Sequence, residues 1–299
     1  MDEHSLDDAY DLLNMISLNG PLLREFTPDS LIFRGHSKLA YELIPSALRQ
    51  PLPTVREQLK FESDQLAMFL RTTDLQGLPI QDNTPDMRSS LISLNERCSN
   101  NDSYIGIDNW PSYTLWSLVG LAQHYGLPTR LLDWTRNPLV AAYFAAESAA
   151  RAFKKNKSTD DQIAIWLFNH GDPTVEPLKM KREDSVSLPI LSIVVVPTAG
   201  IPNLRAQEGL FTLVGPSEAI KIFALGDPTG SVEVTSIEDL LKCNGASANV
   251  LTKITLPYSR TPLLLRLLAR VGISGATLYP GYNGAAKLTE ERFLWDDAI

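Results

Sequence analysis

An arginine beside a glycine at the end of a short apolar run, Phe33-Arg34-Gly35, is the first constellation that suggests chemistry. A guanidinium offers a planar fork of donors and keeps its charge, so Arg34 suits a pyrophosphate. Gly35 lets a ligand come close to the backbone. The alternative for Arg34 is structural, a pairing with a buried acid such as Asp133. A second constellation runs from His124 to Thr135. His124 precedes a Gly-Leu-Pro turn, where a neutral imidazole could orient a hydroxyl or shuttle a proton. It could equally be a helix C-terminal His bonded to carbonyls. Thr129 and Arg130 suit contacts to phosphate, with a surface position as the other reading of Arg130. Asp133 either accepts from Arg34 and from the amides of the following helix or touches ligand. Trp134 is either a stacking wall for an aromatic ring or plain core.

These residues need elements to hold them. Ser30 to Gly35 reads as a short strand. Val55 to Arg71 is the clearest amphipathic helix, with Leu59, Phe61, Leu66, Met68, Phe69 and Leu70 on its apolar face and Glu57, Lys60, Glu62 and Asp64 on the other. Ser5 followed by Asp7 and Asp8 resembles the capped start of a helix running to Leu18. The polar stretch 73–109 reads as an irregular insert with one short helix near Met87 to Arg97. Trp110-Pro111-Ser112 opens a helix to about His124. Asn137-Pro138 starts another, with Asn as cap and Pro at the first helical position, running to about Phe153. The period then changes. Gln162 to Phe168, Ile190 to Val196, Phe211 to Val214, Ala219 to Ala224 and Val250 to Leu256 read as strands, and helices return at Ile237 to Lys242 and Tyr258 to Val271. The expected fold is α+β: a single domain over 1–299, with a mixed sheet core and helices on its flanks.

The bulk composition narrows the function classes. The 299 residues are 44% hydrophobic and carry a formal net charge of -8, so broad nucleic-acid binding is not expected while a local basic pocket for one anion is. Cys98 and Cys243 have no metal-ligand spacing and read as reduced thiols. No apolar run approaches the ~18 residues of a membrane span. The acidic N-terminus lacks the basic region of a signal peptide, which points to the cytoplasm.

Two segments resemble the FRG family. One is Phe33-Arg34-Gly35-His36-Ser37 with Leu43-Ile44-Pro45-Ser46-Ala47-Leu48-Arg49. The other, longer and more specific, runs from Ala122-Gln123-His124 through Arg130-Leu131-Leu132-Asp133-Trp134-Thr135 to Ala145. Two later pieces, Arg205 to Thr212 and Leu278 to Gly284, extend the resemblance over about 25–290. His36 stands where the pattern has Gln, and Gly281 where it has an acid. A more distant resemblance, to mono-ADP-ribosyltransferases, supplies a mechanism. It aligns Arg34, then Asp133-Trp134-Thr135 leading into Val140 to Ala145, then Gln207-Glu208. That resemblance implies an ADP-ribosyltransferase-like fold and NAD as substrate, with no prosthetic group. It implies Arg34, Thr135 and Glu208 as catalytic residues, with Glu208 stabilising an oxocarbenium-like state. His36, His124, Thr129, Arg130, Asp133, Trp134 and Gln207 would bind ligand, Gln207 by bonding the acceptor. A protein acceptor, and a toxin or anti-phage effector role, fit the same picture.

No G-x-G-x-x-G after a strand, phosphate-binding G-x-x-x-x-G-K-[ST], H-E-x-x-H or G-x-S-x-G occurs. Three readings therefore stand: an enzyme that transfers ADP-ribose from NAD or hydrolyses it, a non-catalytic module binding a nucleotide or a protein, and a buried polar network that only stabilises the fold. The first requires Arg34, Thr135 and Glu208 to converge on one cleft.

Overall fold

In the computed structural model the described residues are 1–17, 19–24, 26–100, 109–156, 161–180, 189–199, 201–215, 232 and 234–295. Seven strands among them, β1 (Asp2–Ser5), β2 (Leu31–His36), β3 (Leu131–Thr135), β4 (Gln162–Asn169), β5 (Leu191–Val194), β6 (Gly209–Val214) and β7 (Leu251–Pro257), form one sheet. Its order is β1-β7-β4-β2-β3-β6-β5. β1 runs parallel to β7 and every other pair is antiparallel, which makes the sheet mixed. The helices are α1 (Ala9–Met15), α2 (Val55–Leu75), α3 (Pro85–Ser99), α4 (Trp116–His124), α5 (Pro138–Lys155), α6 (Glu176–Lys179), α7 (Pro202–Ala206), α8 (Ile237–Cys243), α9 (Thr261–Arg270), α10 (Gly275–Leu278) and α11 (Tyr282–Trp295). This is the α+β single domain that the sequence predicts. None of the described helices is long and apolar enough to cross a membrane.

Alternation along the central strands sorts two cores onto opposite faces. Ile163, Ile165 and Leu167 of β4 join Leu31 and Phe33 of β2 beneath α1, α5, α9 and α11. Trp166 and Phe168 join Ile32 beneath α2, α3, α4 and α8. The inner face of α5 is Ala141, Ala142, Ala145, Ala146, Ala149 and Ala150 with Val140 and Tyr143. Such small side chains let the helix lie close on the sheet. Gly35 completes this fit. A Cβ there would overlap the Ala141 carbonyl oxygen and stand 2.6 Å from the Ala145 nitrogen. The glycine therefore admits a helix, a role the sequence reading did not give it.

The helical layer on the other face is fastened by a buried charge. Glu62 on α2 turns inward. Its Oε2 accepts from Arg130 Nε at 2.7 Å and from Trp110 Nε1 at 2.7 Å, and its Oε1 accepts from Gln58 Nε2 at 2.6 Å. The Arg130 and Glu62 side chains are 1% and 5% exposed. Amphipathicity assigned Glu62 to the outer face and Phe61 and Met68 to the core. The structure reverses all three, since Phe61 and Met68 are exposed.

Other differences are local. Ser5 ends β1 beside Thr255, and Asp8, not Ser5, caps α1 by accepting from Tyr10 N at 2.7 Å. Over the described part of 73–109 the helix expected near Met87 to Arg97 is present and longer, as α3. α3 has Thr84 as N-cap and Pro85 in its first turn, and it packs antiparallel to α2 through Met87, Leu91 and Leu94. β1, β3 and the C-terminal α10 and α11 went unread, so helices and strands interleave rather than separate into an early and a late half. The expected strand Ala219 to Ala224 lies outside the described residues.

Two stability outcomes follow. Gly35→Ala forces α5 off β2 and costs at least the ~1–3 kcal/mol of an overpacked core, read as a lower melting temperature. Glu62→Ala leaves the Arg130 guanidinium buried and unpaired, a loss of about 3–5 kcal/mol in urea unfolding. A change under 1 kcal/mol in either variant contradicts the packing described.

Candidate functional site

β2 and β3 are neighbours in the sheet, but their ladder registers only Phe33 against Thr135. Beyond that pair they diverge, and a cavity of ≈ 360 Å³ opens between them. β2 contributes Arg34 and His36, and β3 contributes Asp133, Trp134 and Thr135. The loop after β2 supplies Tyr41 and Arg49, the end of α4 supplies His124, α5 supplies Phe144, and the turn after α7 supplies Gln207.

Arg34 spans the gap. Its Nη1 donates to the Asp133 carbonyl at 2.5 Å and lies 3.5 Å from Asp133 Oδ2, while its Nε donates to His36 Nε2 at 2.9 Å. Nη2 makes no bond among the described residues. Burial lowers the Arg34 pKa and Asp133 opposes that shift. An arginine remains cationic under either influence. Asp133 is also held by Gln123 Nε2 at 2.9 Å, but its side chain is 54% exposed. The structural and the ligand-contacting readings of Arg34 and Asp133 are thus not exclusive, because both line the cavity while bonded to each other.

His36 is buried, and its pKa is depressed to about 3, first by burial and then by the Arg34 charge. A neutral ring with its proton on Nδ1 donates to the Tyr41 carbonyl at 3.1 Å and leaves Nε2 free to accept from Arg34. The Trp166 indole nitrogen, 3.2 Å from Nδ1, is then a packing contact, since Nδ1 has no lone pair to offer. A glutamine amide would present the same acceptor and donor, which explains how His36 can occupy a position where the resemblance expects Gln. His124, half-buried, has its pKa lowered by burial and partly restored by Asp133.

The remaining expected residues divide. Thr135 and Gln207 line the cavity, yet both are bonded within the fold. Thr135 Oγ1 donates to the Gln207 carbonyl at 2.7 Å and accepts from Asn137 N at 3.0 Å, and Gln207 Nε2 donates to the Leu278 carbonyl at 3.2 Å. Trp134 forms part of the wall, but its indole N–H is satisfied by Thr212 Oγ1 at 2.9 Å. Thr129 and Arg130 lie outside the cavity. Thr129 Oγ1 donates to Gln123 Oε1 at 2.7 Å, and Arg130 belongs to the Glu62 pair, so neither reaches a phosphate there. Glu208 also lies outside the lining. It is exposed, its backbone is left-handed at φ 49°, and Oε1 accepts from Asn137 Nδ2 at 3.0 Å. The convergence that a transferase requires is met by Arg34 and Thr135 and not by Glu208. Tyr41, Arg49 and Phe144 line the cavity and were not singled out in the sequence. Arg49 ends the quoted Leu43-to-Arg49 segment, the one signal that pointed to it. Among the described residues no three His, Cys, Asp or Glu gather as a metal site.

The His36 environment has a pH consequence. The folded pKa lies below the unfolded value near 6.5, so the unfolded chain takes up the proton first and stability falls as pH drops from 6.5 toward 3. At pH 5 this one group costs about 2 kcal/mol relative to pH 7.5. His36→Gln removes that share. Urea unfolding at both pH values will show a smaller loss in the variant, and equal losses would contradict a neutral, buried His36. Two of the segments quoted for the resemblance, Phe33 to Arg49 and Ala122 to Ala145, fall within a family match: residues 29–154 match the model of the FRG domain, while Arg205 to Thr212 and Leu278 to Gly284 lie beyond it. Comparison with curated proteins and with solved structures gives no match. The matched stretch spans β2 through α5 and so holds Arg34, Gly35, His124 and Asp133 together; the chain therefore carries an FRG domain.

Proposed function

We propose that the cavity between β2 and β3 binds a small anionic ligand with an aromatic ring, of the nucleotide class, with NAD as the first candidate. The observation that carries this reading is the charge at one end: Arg34 and Arg49 line the cavity with Asp133 as the one carboxylate among its lining residues. In a chain of net charge -8 a local cationic excess is a recognition feature. The Arg34 guanidinium is already oriented by Asp133 and His36, so its free donors meet an anion with little ordering cost. The other end, walled by Phe33, Phe144, Leu210 and Phe211, suits a planar ring.

NAD as ligand would make its hydrolysis, or transfer of its ADP-ribosyl group to an acceptor, the reaction. The position of Asp133 favours it over Glu208 as the carboxylate near the ribose. A protein or other acceptor would approach at the open mouth, where Tyr41 is exposed. The cytoplasm, which supplies nucleotides and keeps thiols such as Cys98 and Cys243 free, fits this reading. An effector role that depletes NAD fits it as well.

The test is calorimetric titration with NAD, ADP-ribose and ATP, followed by a nicotinamide-release assay. Arg49→Ala is expected to weaken binding about tenfold, the loss of one charge-assisted contact, without lowering the melting temperature. Asp133→Asn is expected to abolish any nicotinamide release that Glu208→Gln leaves intact. Absence of binding by all three ligands at millimolar concentration sinks the proposal. Binding without release leaves a non-catalytic module.

A further inference from the structure

The solvent face of α2 carries large apolar side chains where an amphipathic helix carries polar ones. Phe61, Met68 and Leu75 recur every seven residues and are 42%, 62% and 79% exposed. Seven residues are nearly two helical turns, so the three form one straight stripe about 21 Å long at 1.5 Å per residue. The core does not claim them, because Leu59, Leu66 and Leu70 already fill the inner face. An apolar row on the outside of a 21-residue helix, with a buried Glu62 behind it, marks a contact surface rather than misplaced core.

The charges beside the stripe say what covers it. Asp64 stands four residues before Met68 and Arg71 three residues after it, both exposed and on the same side of the row. We propose that the stripe is the interface of a homodimer, α2 of one copy lying antiparallel on α2 of a second about a two-fold axis at Met68. That axis sets Met68 on its own counterpart and Phe61 on Leu75 of the other copy. It also brings each Asp64 within one residue rise of the Arg71 opposite, twice per dimer. A parallel pairing would oppose Asp64 to Asp64 and Arg71 to Arg71, so the charge pattern selects the antiparallel arrangement. Asp64 bonds Lys60 within its own helix at 2.9 Å, a solvent-exposed pair that yields readily to a better-placed arginine. The contact is small, which places the dimer in the weak, concentration-dependent class.

Sedimentation velocity on the full chain between about 1 and about 500 µM tests this. A monomer–dimer equilibrium is expected within that range. Met68→Lys, at an exposed position, raises the dissociation constant at least about tenfold without changing the melting temperature of the monomer. Arg71→Glu weakens the dimer about threefold, and adding Asp64→Lys to Arg71→Glu restores it. A chain that stays monomeric throughout overturns the proposal, whether the stripe is bare or serves a different protein. So does a dimer indifferent to Met68→Lys, or one that the second charge exchange fails to restore.

Discussion

The bond from Arg34 Nη1 to the Asp133 carbonyl, 2.5 Å long, takes the place of a ladder bond at the point where β2 and β3 separate. The two strands register at Phe33 and Thr135 alone, and a carbonyl exposed in such a gap needs another donor. A backbone N–H cannot reach it without closing the cavity. A guanidinium on a long stem can, and it keeps further donors for whatever enters. Gly35 then fixes the edge of the gap. Because α5 lies directly on its backbone, β2 cannot drift toward β3 without dragging the helix along. The opening is thus set by one side chain that bridges and one residue without a side chain.

This arrangement sets the electrostatics. Arg34 needs an acceptor for its Nε on the side away from Asp133, and a second carboxylate there would cancel the charge an anionic ligand must find. A neutral imidazole accepts without adding negative charge, and His36 stays neutral because burial and the adjacent arginine both oppose its protonation. The site keeps a net positive end inside an acidic protein. Glu208 has an equally definite place elsewhere. It lies beside the start of α5, whose first turn has unsatisfied amides and a positive dipole end. Asn137 accepts from Leu139 N at 3.0 Å with its Oδ1 and donates to Glu208 with its Nδ2. A left-handed φ at a glutamate costs energy, and this cap is what the turn obtains in return. The Gln207-Glu208 pair locks the β6 turn to α5.

How much of this was legible depended on range. α5 was readable because its cap and proline sit at its start, α2 because its apolar and charged residues recur at helical spacing, and β4 because its apolar pattern alternates over its whole length. Arg34, Asp133 and His124 were readable as a group because they cluster in two short segments. The direction a side chain takes was not. Phe61, Glu62 and Met68 have residue types that predict the opposite face, and only the docking of α2 against Arg130 and Trp110, 48 to 68 residues away in the chain, fixes which face is inner. Glu208 failed for a similar reason. Gln207 and Glu208 form the turn between α7 and β6, and the left-handed backbone of Glu208 takes its side chain out of the cavity that Gln207 lines. α3 was read too short, near Met87 to Arg97, for want of weight on Thr84-Pro85, a local signal that was present.

Arg34 serves two purposes, and this bears on how its loss is interpreted. Nε and Nη1 are spent on His36 and Asp133, so removing the side chain leaves the Asp133 carbonyl without its bridge across the gap and a buried imidazole without its donor. The second loss, at buried His36, falls on the fold before any ligand is considered. Failure of an Arg34 variant to bind would therefore say little about recognition. Arg49 differs. Its Nε bonds the neighbouring Ile44 carbonyl at 3.2 Å and the residue is exposed, so its charge is a feature of the cavity mouth more than of the core. The division of labour between the two arginines, one holding the gap open and one facing into it, separates a site that binds from a network that only braces.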